Sequence, residues 1–228
     1  MQGKQSVFYI NERKASASAE LSCLLKKCIE KTDRVWEEII ILCIGSDRIT
    51  GDSLGPLVGH LLSRHIWQHS FIYGTLDEPV HALNLAGQLE KIKKKHPSAL
   101  VVAVDASLGS QKHVGYITVG LGPIHPGAGV RKELPDVGDI FITGIINASG
   151  TLEHFLLQTT RLSTVISMAD SITQGILMAL SGQARALRFR PEELLPQEEP
   201  RLLRCWAKDS TLAAFSMDTA SGEGTSRS

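Results

Sequence analysis

The chain has no surplus of either charge: Lys+Arg and Asp+Glu each number 24 in 228 residues, so the formal net charge is zero. Proteins that bind nucleic acid or another polyanion carry a basic excess, so no nucleic-acid partner is expected. The basic runs Lys91–Lys95 and Arg185–Arg190 read as solvated helix faces. Long apolar runs are also missing. The longest, Ile39–Ile44, is strand-sized, whereas a helix spanning a bilayer needs about 20 residues, so no membrane partner is expected. The amino terminus, MQGKQSVFYINERK, has no apolar core of signal-peptide length and no small-residue cleavage site. The protein is therefore expected to stay in the cytoplasm, where it is made. Cysteine is sparse. Cys23, Cys28, Cys43 and Cys205 are scattered without a CxxC pair, which argues against a disulfide framework and a zinc ribbon. Cys43, inside an apolar run, reads as a small core residue.

What is present is the balance of a globular protein, 43% hydrophobic and 21% charged residues, in a chain long enough to bury a core. Residues 1–15 are polar and read as irregular. From about Ser16 to Lys31, Leu21, Leu24, Leu25, Cys28 and Ile29 recur at helical spacing, with Ser16 or Ser18 placed to cap. Ile39–Ile44 is rich in β-branched residues, as in a strand buried on both faces of a parallel sheet. A polar, glycine-containing loop follows, and a helix begins near Leu54 with Gly55-Pro56 in its first turn. The alternation then repeats. A strand is predicted at Phe71–Gly74, a helix at about Ala82–Lys95, a buried strand at Ala99–Asp105, and strands at Val114–Val119 and Ile140–Ile146. Helices are predicted near Thr151–Gln158 and Leu162–Leu180.

This pattern predicts an α/β fold, a three-layer domain with a mostly parallel central sheet covered on both faces. Three segments are distinguished: 1–35 with one helix, 36–183 as the α/β domain, and 184–228 as a C-terminal extension. Its small, polar tail from about Ser216 reads as disordered.

Two carboxylates stand out. Asp52 lies in the loop after the first buried strand, and Asp105 closes the apolar run VVAVD. In open α/β sheets functional groups collect at the carboxyl edge, so the fold can bring the two together. Paired carboxyls cannot both ionise cheaply, and such a pair can share a proton and act as acid and base toward water. Each residue also has a simpler reading. Asp52 sits near a helix start, where an aspartate caps favourably, and Asp47 can fold the loop as an Asx-turn. Asp105, ending an apolar strand, must find a partner or solvent in any case. A third segment, residues 122–147, contains Gly127 and Gly129, which free the backbone to turn or approach a ligand, and the donors His125, Arg131 and Lys132. His125 is equally readable as an ordinary loop histidine. The loop glycines match neither a P-loop nor a dinucleotide fingerprint.

The stretches CIGSDRITGDSLGPLVG, YGTLDEPVHALNL, VVAVDASLG, VRKELPDVGDIFITGIIN and LLQTTRLSTVISMADSI together resemble the sporulation protein YyaC family, whose members carry the label of spore protease. The resemblance runs from about Ile39 to Ile176, and the tail beyond about Gln183 has no counterpart in it. More distantly, that family is similar to the spore germination protease and the hydrogenase maturation proteases. The germination protease likeness implies two catalytic aspartates. One precedes an Ala-Leu-Gly-Pro-like stretch, the place of Asp52 before Ser53-Leu54-Gly55-Pro56. The other ends a buried strand, the place of Asp105 before Ala106. Ser107 departs from the leucine expected there. The maturation protease likeness implies acids that bind nickel on the substrate together with a histidine, for which His125 is a loose candidate.

Three readings follow. The leading one is an endopeptidase of sporulation, with Asp52 and Asp105 activating water, the loop with His125, Gly127, Gly129 and Arg131 seating a protein or peptide substrate, and no cofactor. The second is a metal-dependent site with nickel or zinc on Asp52, Asp105 and His125. The third is a binding or regulatory protein that kept the fold without the reaction. The resemblance places all three in the mother cell or forespore of a spore-forming bacterium. Oligomeric state is left open.

Overall fold

The computed structural model describes residues 7–65, 69–126, 134–150 and 153–181. The 184–228 extension, and with it the expected tail, lies outside them, as do Gly127, Gly129, Arg131 and Lys132. In chain order the elements are β1 (Val7–Asn11), α1 (Ala17–Glu30), β2 (Glu38–Cys43), α2 (Leu54–Ser63), β3 (Ser70–Tyr73), α3 (Leu85–Lys95), β4 (Ala99–Gly109), β5 (Tyr116–Leu121), β6 (Ile140–Ala148), α4 (Glu153–Thr159) and α5 (Leu162–Leu180).

The strands form one six-stranded sheet in the order β1-β5-β6-β4-β2-β3. β3, β2, β4 and β6 run parallel, and β5 and β1 complete the sheet antiparallel at one edge. Alternate side chains of a strand point to opposite faces, and both faces of the central strands are apolar. Ile39, Ile41 and Cys43 of β2, with Leu100, Val102 and Val104 of β4, join the core beneath α1, α2 and α5. Ile40 and Leu42 of β2, with Ala99 and Ala103 of β4, join Leu85 and Ile92 of α3 on the opposite face. Each such Ile or Leu is fully buried, and burial of one stabilises by about 1.5–3 kcal/mol. This is the expected three-layer α/β arrangement.

The helices follow their apolar spacing. α1 buries Ala17, Leu21, Leu25, Cys28 and Ile29, four or so residues apart, and packs on α5, which buries Val165, Met168, Ala169, Ile172 and Ile176. Ser16 occupies the N-cap position of α1 but makes no capping bond. Its hydroxyl donates instead to Glu20 Oε1 at 2.7 Å.

The N-terminal segment differs from the irregular stretch the sequence predicts. β1 pairs with β5 from Val7↔Gly120 to Asn11↔Tyr116. Its side chains gave little warning, because only Ile10 is buried while Val7, Phe8 and Tyr9 remain exposed on an edge strand. β5 begins at Tyr116 rather than Val114, since Gln111–His113 form a 3-10 turn and Gly115 then takes a left-handed φ of 86°. β4 also runs further than Asp105, continuing to Gly109 because Ser107, Leu108 and Gly109 go on pairing with β6 across a bulge.

A polar cluster forms around the buried His96. His96, at the end of α3, holds Glu38 Oε2 through Nδ1 at 2.6 Å and the Tyr73 hydroxyl through Nε2 at 2.9 Å. Its partners are supplied within the fold, as a buried imidazole requires.

Candidate functional site

β2 ends at Cys43, paired with Val104 of β4. Asp105 is therefore the first β4 residue beyond the end of β2, still in register with Thr143 of β6. The loop from β2 crosses this gap. At Gly45 the chain turns with φ 141°, and a Cβ there would lie 2.1 Å from the backbone oxygen of Asp52, so only glycine fits. The Ser46 N–H donates to that same oxygen at 3.0 Å, and the Asp52 N–H donates to the Ile49 carbonyl at 2.9 Å. The loop folds into a 3-10 turn, Thr50–Ser53, that leads directly into α2. Gly55 lets that helix lie against the end of β2, where a Cβ would meet the Ile44 carbonyl at 2.1 Å. α4 packs over the turn, with Leu157 against Gly51.

Sequence and topology thus bring Asp52 and Asp105 to the same edge of the sheet. Asp105 is only 8% exposed, and Asp52 is partly buried. Burial raises the Asp52 pKa to about 6, opposed by a backbone N–H bond from Ser46. The Asp105 pKa is raised well above the ordinary carboxylate range, first by burial and then by the charge of Asp52. The Ala106 N–H, donating to Asp105 Oδ1 at 2.8 Å, works in the other direction. The charge of Asp52 thus helps Asp105 to keep its proton. The N-cap positions of the 3-10 turn and of α2 are Ile49 and Ser53, and neither makes a side-chain capping bond. Asp47 is exposed in the loop.

Asp105 opens into a cavity of about 280 Å³ lined by Ala106, Ser107, Pro123, Ile124, His125, Phe141 and Thr143. His125 reaches it from the loop after β5, which is closed by the antiparallel bridge Ile124↔Val137. Its Nδ1 is paired with the Asp136 carboxylate, and 80% of its side chain is exposed. His125 therefore borders the same space as Asp105. Among the described residues, however, no three His, Cys, Asp or Glu side chains gather as a group that could hold a metal ion. Asp52, Asp105 and His125 are not gathered into such a group.

Among the polar groups at the site, Asp136, Thr143 and Thr118 are not singled out by the sequence. Asp136 escaped because its contact with His125 depends on the Ile124↔Val137 bridge. Thr143 and Thr118 carried a faint signal, each being the one threonine of a largely apolar strand. Among the described residues no helix is long and apolar enough to cross a membrane.

The family model described as "Protein of unknown function (DUF1256)" matches residues 8–175. The chain is 42% identical over 187 residues to the Bacillus subtilis (strain 168) protein named "Uncharacterized protein YyaC", an alignment covering 82% of this chain and 90% of that one. Among solved structures, the [NiFe] hydrogenase maturation protease HycI from Thermococcus kodakarensis KOD1 is similar at a TM-score of 0.45 and 16% identity, over 69% of this chain and 99% of that one.

Proposed function

We propose that this chain, which belongs to the DUF1256 family, is a peptidase that uses Asp52 and Asp105 as a proton-sharing pair on a protein or peptide of the sporulating cell. One observation supports the reading: at the sheet's carboxyl edge the buried Asp105, its pKa raised by burial and by the charge of Asp52, borders a cavity. Titratable groups whose surroundings push their pKa values apart divide naturally into an acid and a base.

Asp52, with a pKa of about 6, serves as the base, and Asp105, held above the ordinary carboxylate range by burial and by the Asp52 charge, serves as the acid. Asp105 donates its proton toward the oxygen of the scissile carbonyl. Asp52 takes a proton from the attacking water, whose oxygen forms the new bond to the carbonyl carbon. Collapse of the tetrahedral intermediate breaks the C–N bond. The amine leaves with the proton held by Asp52, and the intermediate's hydroxyl proton returns to Asp105, which restores the starting pair. Phe141, Ile124 and Pro123 line the cavity and limit water around Asp105, which strengthens each polar interaction there. The sporulation setting and the cytoplasmic location, in mother cell or forespore, rest on the sequence resemblance.

The test is cleavage of a protein extract from sporulating cells, with new amino termini mapped by mass spectrometry. Termini that form with the wild type and not with folded Asp105→Asn or Asp52→Asn are expected. A set of termini identical for all three proteins would remove the peptidase reading.

A further inference from the structure

We propose that Thr143 is a substrate-contacting donor of this site, its hydroxyl proton directed into the cavity beside Asp105 to hydrogen-bond a carbonyl oxygen of the bound peptide. The inference deepens the peptidase reading and rests on it for the nature of the ligand. The direction of the proton is a separate claim, argued from hydrogen-bond accounting alone.

Three hydroxyls meet on this face of the sheet. Thr118 of β5 and Thr143 of β6 are direct cross-strand neighbours, with their oxygens 2.6 Å apart. Ser107 of β4 lies 3.3 Å from Thr143 Oγ1 and 3.4 Å from the Gly144 carbonyl, its single proton shared between these two acceptors. A hydroxyl has one proton to give and two lone pairs to receive. Thr118 is only 5% exposed, and among the described residues Thr143 is the partner of its hydroxyl. Were Thr143 the donor in that bond, the Thr118 proton would be buried with no acceptor among the described residues, and an unmade buried bond is costly. Thr118 is therefore the donor and Thr143 the acceptor.

The Thr143 proton must then go elsewhere. Ser107 donates toward Thr143 rather than accepting from it. The open direction is the cavity, which Thr143 lines and where it is partly exposed. Asp105 stands directly opposite Thr143 in the β4–β6 ladder, about 4.8 Å away in the strand-to-strand direction. One acid proton and one hydroxyl proton thus flank a single space walled by Phe141 and Ile124. Two fixed donors beside apolar walls suit an oxygen that gains negative charge, as a peptide carbonyl does under attack.

Neutron diffraction from crystals of the perdeuterated protein tests the direction without any need for activity. The Thr118 deuteron is expected on the line to Thr143 Oγ1, and the Thr143 deuteron in the cavity. A Thr143 deuteron pointing at Thr118 overturns the proposal, whether or not the protein cleaves peptides. The role of the proton is read from Thr143→Val and the double variant Thr118→Val/Thr143→Val, assayed on a peptide that the wild type cleaves. Thr143→Val is expected to lower Tm and to reduce kcat/KM by about 100-fold, the loss typical of one such donor. The double variant removes both polar partners together and is expected to recover Tm but not kcat/KM. Recovery of both would make the hydroxyl pair purely structural and overturn the proposed contact. If the wild type cleaves nothing, the peptidase reading fails by itself, and the deuteron positions still decide the donor direction.

Discussion

Asp52 raises the proton affinity of Asp105. Its charge is the second cause, after burial, of the raised Asp105 pKa. That coupling exists because β2 stops one residue short of Asp105, and the loop it feeds folds back over the gap with Gly45 against the Asp52 carbonyl.

A carboxyl whose pKa is raised by folding weakens the folded state once it ionises. For Asp52 the sign is explicit. The folded pKa of about 6 exceeds the ordinary 3.8, so the stability it lends is complete below about pH 3.8 and is lost as pH rises through 6. Asn mimics the protonated form at every pH. Asp52→Asn is therefore expected to be more stable than the wild type above pH 6, by on the order of 2 kcal/mol, with the gap closing below about pH 4. Asp105→Asn should shift stability in the same direction. Chemical denaturation at pH 4 and pH 7.5 measures both.

The rate of peptide cleavage is expected to rise with pH through about 6, as Asp52 loses its proton and becomes the base. It should fall again at higher pH, as Asp105 ionises. The acid limb should vanish in Asp52→Asn, whose residual rate would be flat across that range. An optimum well below pH 5 would show that the division of roles between the two carboxyls is wrong.

Two glycine substitutions are expected to act in opposite directions. In Gly45→Ala the new methyl would lie 2.1 Å from the Asp52 backbone oxygen at a φ of 141°, so a loss of about 2 kcal/mol or more is expected, together with loss of activity. In Gly87→Ala, within α3, nothing lies within 4 Å of the added carbon, and a gain of about 0.5–1 kcal/mol is expected. Thermal melts of both variants beside the wild type provide the comparison.

Cysteine accessibility checks the layering. Cys23 is exposed, whereas Cys28 and Cys43 are buried, and burial raises the thiol pKa of both. A mild alkylating reagent applied to the native protein should modify Cys23 quickly and leave Cys28 and Cys43 intact until unfolding. Rapid labelling of Cys43 would contradict a β2 strand covered on both faces.

Much of this was legible in the sequence because the informative segments are buried on both sides. Ile39–Ile44 and Val101–Val104 are apolar without interruption, and in a covered parallel sheet that is what a strand requires. α5 was legible to the residue, since its apolar face recurs from Val165 to Leu180. β1 was not, because one buried side chain, Ile10, leaves no alternation to read, and β5, which decides the pairing, lies more than a hundred residues away. The approach of Asp52 to Asp105 followed from where strands end in such sheets. Thr143 and Ser107 as companions of Asp105 did not, because they reach the cavity through a strand register that local patterns do not encode.

The central claim is that Asp52 and Asp105 act as one proton-sharing unit. Carbon-13 NMR titration of the aspartate carboxyls, in the wild type and in Asp52→Asn, tests it most directly. Removing the Asp52 charge is expected to lower the Asp105 titration midpoint measurably, while burial keeps it above the ordinary carboxylate range. An Asp105 midpoint unmoved by Asp52→Asn, or one already at the ordinary value in the wild type, would contradict the pairing on which the proposed chemistry depends.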